Sequence, residues 1–235
     1  MQVPIEWLPE SGAPEQLILM LHGWGSNGAA MAPLAQALRG AFPQAALLAP
    51  DAPLPWDRAE VAVDGVAAAA QARQWYGIEG LDEQNWPARV APVLPALQAW
   101  VGQQQQRLGV GAAATALAGF SQGAILALAL ALQDDGIAGR VLAFGGRLVG
   151  HPAAAPQLTT LHFIHGGDDA VIPAEHARQA LQWLGALQGD ATLDVAQGVG
   201  HELHPALIDC ALHRLKNHIP LRLWRAAMGD QPPPH

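Results

Sequence analysis

Residues 115–128, Thr-Ala-Leu-Ala-Gly-Phe-Ser-Gln-Gly-Ala-Ile-Leu-Ala-Leu, restrict the possible folds of this chain more than any other stretch. An apolar run of strand type ends at Gly119, and a second apolar run of helix length begins after Gly123. Between them stands Ser121 in the pattern G-x-S-x-G. A nucleophile on a tight strand-to-helix turn adopts strained backbone angles, and side chains two residues to either side would collide with the turn. Glycine at both places removes those collisions and leaves the hydroxyl clear above a sheet. The competing reading is a loop serine in a chance pattern. With three serines and 25 glycines in 235 residues, random placement gives about 0.03 such motifs. The strand before and helix after make chance rarer still, so the stretch is read as a nucleophile elbow.

The rest of the composition fits one large α/β domain over residues 1–235. Half of the residues are apolar and 14% are charged, enough for a large core. A net charge of −8 with a single lysine, Lys216, argues against a nucleic-acid surface and against an anionic membrane surface. One cysteine, Cys210, forms no internal disulfide, so nothing points to an oxidising compartment. Residues 1–16 carry three glutamates and three prolines without the basic-then-apolar order of a secretory signal. The longest apolar stretch, 112–132, is interrupted by Ser121-Gln122 and reads as strand plus buried helix. A cytoplasmic protein is expected.

Continuous apolar runs at 16–21, 45–49, 115–119, 140–144, 161–164 and 193–196 read as strands of a sheet covered on both faces. Helical patterns fall between them, at 29–39 with Asn27 or Ser26 as N-cap, at 86–108 with kinks at Pro92 and Pro95, and after the elbow. Further helices are predicted at 173–187, 205–217 and 221–228. Strands alternating with helices predict a mostly parallel sheet in a three-layer α/β sandwich. Residues 56–85 are the least regular and read as a lid or substrate-binding insertion, with 229–235 as a frayed tail.

A serine hydroxyl needs a base to take its proton, and the base needs a carboxylate to fix its tautomer. In hydrolases built on such a sheet the chain order is nucleophile, acid, histidine. Ser121, the pair Asp168-Asp169 after a later strand, and His201 after the last strand keep that order. His204 is expected at the start of the next helix, His165 as a structural residue, and His22 as a residue that fixes its loop. The oxyanion donors expected in this architecture are the backbone N–H groups of Gln122, at a helix N-terminus, and of Trp24, in the loop after an early strand.

That early loop carries the strongest rival. Gly23, Gly25 and Gly28 form G-x-G-x-x-G between a strand and a helix, and Asp51 ends the next strand where a ribose-binding acid would stand. A dinucleotide-binding oxidoreductase would leave Ser121, the aspartate pair and His201 without a role. A zinc site fits worse, because His201 and His204 stand at i, i+3 rather than the i, i+4 of H-E-x-x-H. A non-catalytic ligand receptor on the same fold is the third possibility.

At these residues the chain resembles the carboxylesterase/acyl-protein thioesterase branch of the α/β-hydrolases, especially its small bacterial esterases. Residues 21–25 are similar to the family's L-H-G-x-G oxyanion loop, 119–123 to its G-F-S-Q-G elbow, and 165–173 to its H-G-x-x-D-x-x-V-P segment. Gly200-His201-Glu202 resembles the turn that carries the base, and Pro50-Asp51-Ala52-Pro53 and Trp75-Tyr76 resemble stretches near the acyl pocket. The resemblance implies an α/β-hydrolase fold and places the acid at Asp169, giving Ser121, Asp169 and His201 as catalytic residues. It also implies cleavage of a carboxylic ester or thioester with no metal or organic cofactor; a monomer or homodimer is expected. A cleft near Trp24, Trp56 and Trp75 is expected to hold small to medium acyl groups. The chain departs from the family at Ser26 and Gly77, where aspartate is common, and between 56 and 74.

Overall fold

A computed structural model describes residues 3–58 and 71–229. Its main sheet comprises β1 (Ile5–Trp7), β2 (Gln16–Leu21), β3 (Ala45–Ala49), β6 (Thr115–Phe120), β7 (Arg140–Phe144), β8 (Thr160–Gly166) and β9 (Ala191–Ala196). Their spatial order is β1-β3-β2-β6-β7-β8-β9. All neighbours pair in parallel except β1, which runs antiparallel to β3. Two further strands of two residues each, β4 (Leu54–Pro55) and β5 (Arg73–Gln74), pair antiparallel apart from the main sheet.

The central strands β2, β3, β6 and β7 are mostly apolar because their side chains alternate between two covered faces. Leu17, Leu19 and Leu21 enter one core, with Ala46, Leu48, Val141 and Ala143. Ile18 and Met20 enter the other, with Leu47, Leu142 and Phe144. The first core is closed by α3 (Leu94–Leu108), α4 (Gln122–Gln133) and α5 (Glu175–Ala186), the second by α1 (Ala32–Ala41) and α6 (Pro205–Asn217). This is the three-layer α/β-hydrolase arrangement. No described helix is long and apolar enough to cross a membrane.

The boundaries follow local chemistry. Asn27 caps the first helical turn by accepting the Ala29 N–H at 3.1 Å. The pattern over 86–108 resolves into α2 (Trp86–Val90), a 3₁₀ turn (Ala91–Val93) and α3. Pro92 and Pro95, which cannot donate to the preceding turn, stand at that break. Two elements lack a sequence signal. Strand β1 is three half-exposed residues on an edge, and the β4–β5 pair is too short to show alternation. Of the predicted insertion at 56–85, residues 59–70 lie outside the described part, as do residues 230–235 of the predicted tail. A short α7 (Leu221–Ala227) ends the described chain.

Candidate active site

Strand β6 ends at Phe120 and α4 begins at Gln122, leaving Ser121 alone in the turn at φ 53°, ψ −115°. Few L-residues occupy that region, and their occurrence is a mark of functional turns. Two devices hold it. The Ser121 N–H donates to the Phe144 carbonyl at 2.9 Å. The flanking glycines admit backbone that a side chain would displace: a Cβ at Gly119 would lie 2.4 Å from the Gly123 carbonyl, and one at Gly123 would lie 2.1 Å from the Leu21 carbonyl. The clash avoided at position 123 is therefore with the strand leading into the oxyanion loop.

The loops after β8 and β9 bring two more side chains to this turn. His201 Nε2 is 2.9 Å from Ser121 Oγ, and its Nδ1 is 2.7 Å from Asp169 Oδ2. In the tautomer with the proton on Nδ1, the ring donates to the carboxylate and accepts from the serine hydroxyl. Asp169 is buried, and its other oxygen accepts the N–H groups of Val171 and Ile172 at 2.9 and 2.8 Å. Of the adjacent aspartates, Asp168 faces solvent and touches the histidine loop through its backbone N–H, bonded to the Val199 carbonyl at 2.9 Å. The Phe120 ring packs against the imidazole, centroids 4.8 Å apart.

His165 lies beneath the pair, fully buried. Its Nε2–H donates to the Ile172 carbonyl at 2.6 Å, with Asp169 Oδ2 3.4 Å away. Burial holds its pKa below the ordinary histidine value, so the ring is neutral and ties the Asp169–Ile172 turn to β8.

Gln122 has a second task that its place after the nucleophile did not announce. Its side-chain oxygen accepts the Trp75 N–H and its amide donates to the Tyr76 carbonyl, each at 2.8 Å. The Trp75 indole donates to the His22 carbonyl at 2.9 Å, and the Trp24 indole to Gln74 Oε1 at 2.8 Å. The elbow, the 22–24 loop and the 74–76 segment are thus bonded into one unit. Among the described residues no protein acceptor takes the backbone N–H of Trp24 or of Gln122.

Two cavities meet at Ser121 and share Trp24 and Val171. One, of about 340 Å³, is walled by Tyr76, Ile78, Leu81, Trp86 and Ile125. The other, of about 510 Å³, is walled by Met31, Phe120, His201, Glu202 and Leu203. Trp75 lines neither, correcting the expectation that it binds substrate: it is 1% exposed, with its N–H spent on His22, and belongs to the core. Trp56 also lies outside both linings. It packs edge-on against Trp24 at 5.2 Å and against Gly25, bracing the loop from behind. Tyr76 and Trp86 line the smaller cavity instead. The Trp86 indole donates to the Tyr76 hydroxyl at 3.1 Å, and burial pushes the Tyr76 pKa up to about 12. Sequence reasoning could not rank eight tryptophans by exposure.

The rival readings lose their residues to internal bonds. Asp51 Oδ1 accepts the Gly28 N–H at 2.7 Å, and Gly25 N–H donates to the Arg73 carbonyl at 2.9 Å, so the G-x-G-x-x-G loop binds its own protein. His22, buried and held below the ordinary histidine pKa chiefly by desolvation, accepts the Ala52 N–H on Nε2 and donates to the Gly23 carbonyl. His204 caps α6, its Nδ1 accepting the Ala206 N–H at 3.2 Å.

The chain is similar to known proteins over most of its length. Residues 8–219 match the model of the phospholipase/carboxylesterase family. Esterase YpfH of Escherichia coli K12 is 37% identical over 221 residues, covering 93% of this chain and 90% of that protein. Acyl-protein thioesterase 1 of Eremothecium gossypii is 28% identical over 229 residues, covering 92% and 93%. Among solved structures, esterase PE8 superposes with a TM-score of 0.78 at 29% identity, covering 92% of this chain and 99% of that one.

Proposed function

The chain belongs to the phospholipase/carboxylesterase family of α/β-hydrolases, and from that membership we propose a serine hydrolase that cleaves carboxylic esters or thioesters through an acyl-enzyme on Ser121. His201 Nε2 takes the hydroxyl proton as Oγ attacks the carbonyl carbon. Asp169 holds the imidazole in the required tautomer and stabilises the imidazolium. The N–H groups of Trp24 and Gln122 stabilise the oxyanion, each lowering the barrier by about 3 kcal/mol. The imidazolium then protonates the departing alcohol or thiol, and water repeats the sequence on the acyl-enzyme, releasing the acid and regenerating Ser121.

One observation carries this reading: the unbroken relay Asp169–His201–Ser121, at 2.7 and 2.9 Å, ending on a serine held at positive φ above two cavities. Small to medium acyl groups fit the 340 Å³ cavity. The mechanism needs no metal or organic cofactor, and the single cysteine fits a cytoplasmic enzyme. The test is covalent labelling with a fluorophosphonate together with turnover of p-nitrophenyl butyrate. Wild-type protein is expected to carry one label on Ser121, and Ser121→Ala to lose the label and at least about 10³-fold in turnover with its fold intact. Retained turnover, or labelling at another residue, overturns the assignment.

A further inference from the structure

The two cavities at Ser121 differ in one functional respect: His201 lines the 510 Å³ cavity and not the 340 Å³ one, whereas Gln122 lines the smaller and not the larger. When a tetrahedral intermediate collapses, the imidazolium delivers its proton to the departing atom, which must lie within hydrogen-bond reach of Nε2. With the oxyanion turned toward the Trp24 and Gln122 N–H groups, the departing group occupies the His201 side and the acyl substituent the other.

The two sides also differ in charge. The smaller cavity has no charged side chain among its lining residues, and its phenol, Tyr76, is bonded to Trp86. The larger is walled by Glu202, an exposed carboxylate that no cation pairs with among the described residues. The neighbouring guanidinium, Arg58, lies over the Trp24 ring at 5.2 Å and lines neither cavity. The residues outside the description, 1–2, 59–70 and 230–235, contain no lysine or arginine. A net charge of −8 adds to the local field.

We propose that the Tyr76–Trp86 cavity receives an uncharged acyl group, that the His201 cavity receives the alcohol or thiol, and that Glu202 makes the enzyme prefer neutral or cationic leaving groups over anionic ones. Esters and thioesters whose leaving group carries a phosphate or sulfonate are then poor substrates. This assignment rests on the Ser121–His201–Asp169 reading and adds a direction to it.

Butyryl thioesters of three thiols test the charge assignment: N-acetylcysteamine (neutral), thiocholine (cationic) and 2-mercaptoethanesulfonate (anionic). At low salt, Glu202→Gln is expected to raise kcat/KM for the anionic thioester relative to the cationic one by roughly three- to tenfold, and Glu202→Lys by more, with the gain shrinking as salt is added. Any effect of Glu202 on His201 itself acts on all three substrates and cancels in the ratio. The ratio of octanoyl to acetyl N-acetylcysteamine thioester is expected to stay within about twofold in both variants, because that difference lies in the other cavity. Leu81→Phe and Leu81→Ala are expected to lower and raise the same chain-length ratio by about tenfold, without moving the charge ratio. An unchanged charge ratio in the Glu202 variants, or a charge ratio that follows Leu81, overturns the proposal. If Ser121→Ala keeps its activity, the catalytic reading has failed; if Ser121→Ala is inactive and the ratios do not separate, only the partition has.

Discussion

The opposite ends of the central sheet both hold a histidine bonded to an aspartate, and only one of them directs the second ring nitrogen at a serine hydroxyl. At the C-terminal ends of the strands, His201 joins Asp169 to Ser121. At the N-terminal ends, His218 Nε2 donates to Asp190 at 3.1 Å, and Asp190 also accepts from the Thr160 hydroxyl and the Leu221 N–H. Next to them, His162 is bonded on both ring nitrogens, to Arg140 at 3.0 Å and Thr192 at 2.8 Å. A cavity of about 440 Å³ lies there, lined by Asp190, His218 and Trp224. Neither an imidazole–carboxylate pair nor an adjoining cavity is therefore diagnostic. At the upper end the second ring nitrogen is directed at a hydroxyl on a strained turn. At the lower end the bonds of Asp190 to His218 and Leu221 fasten the segment after α6 to the strand starts, and those of His162 and Thr160 tie the strand starts to one another.

The sharpest way to break this comparison is to neutralise each aspartate in turn. Asp169→Asn is expected to lower kcat by about 10³- to 10⁴-fold, because the amide donates to Nδ1 and leaves the wrong tautomer facing Ser121. Asp190→Asn is expected to leave kcat within about twofold and to reduce stability in urea by about 1–2 kcal/mol. Steady-state kinetics and urea unfolding on both proteins decide it; an equal loss of turnover from both would mean that the two ends are not functionally distinct.

A smaller effect is expected where packing alone separates the ends. Gly123→Ala drives a methyl against the Leu21 carbonyl and is expected to cost about 3 kcal/mol in unfolding free energy. Because Leu21 leads into the loop bearing Trp24, turnover by the folded fraction is expected to fall as well. A variant of wild-type stability and activity would remove the argument that this glycine sets the elbow against the oxyanion loop.

The smallest effect concerns proton uptake at the lower end. Burial, reinforced by the Arg140 guanidinium, lowers the His162 pKa to about 3. Between that value and the ordinary histidine value near 6.5, the unfolded chain binds a proton that the folded chain does not. Stability contributed by neutral His162 is thus complete above about pH 6.5 and is lost as pH falls toward 3. His162→Gln is expected to flatten the stability profile between pH 4 and 6 by up to about 1.4 kcal/mol per pH unit. Urea midpoints measured across that range check it, and an unchanged slope would show that His162 takes no part in acid unfolding.

Much of this molecule is legible in its residues, for reasons that vary along the chain. The parallel strands show because burial on both faces demands unbroken apolar runs, and α6 shows because Pro205 opens it and Pro220 follows it. The short edge strand β1 and the two-residue strands β4 and β5 do not, since none is long enough for a period. In the site, the order of Ser121, the aspartate pair and His201 can be read directly, whereas the choice of Asp169 over Asp168 depended on likeness to a family. Trp56 and Trp75, expected beside the cleft, pack instead against Trp24 and within the core, because exposure is a property of packing.

By itself, the amino-acid order determined what is local: which runs become buried strands, where a serine sits between glycines at a strand-to-helix turn, and which loops carry an acid and an imidazole. Tertiary structure decided what depends on convergence. It turned Asp169 inward and Asp168 outward, used Gln122 to bind the 74–76 segment to the elbow, made Trp75 core and Trp86 a wall, and divided the space above Ser121 into two unlike cavities. Strand and helix periods act over a few residues, so a sequence displays them. Contacts among residues 24, 76, 86, 121, 171 and 201 arise only once seven strands have fixed where each loop emerges.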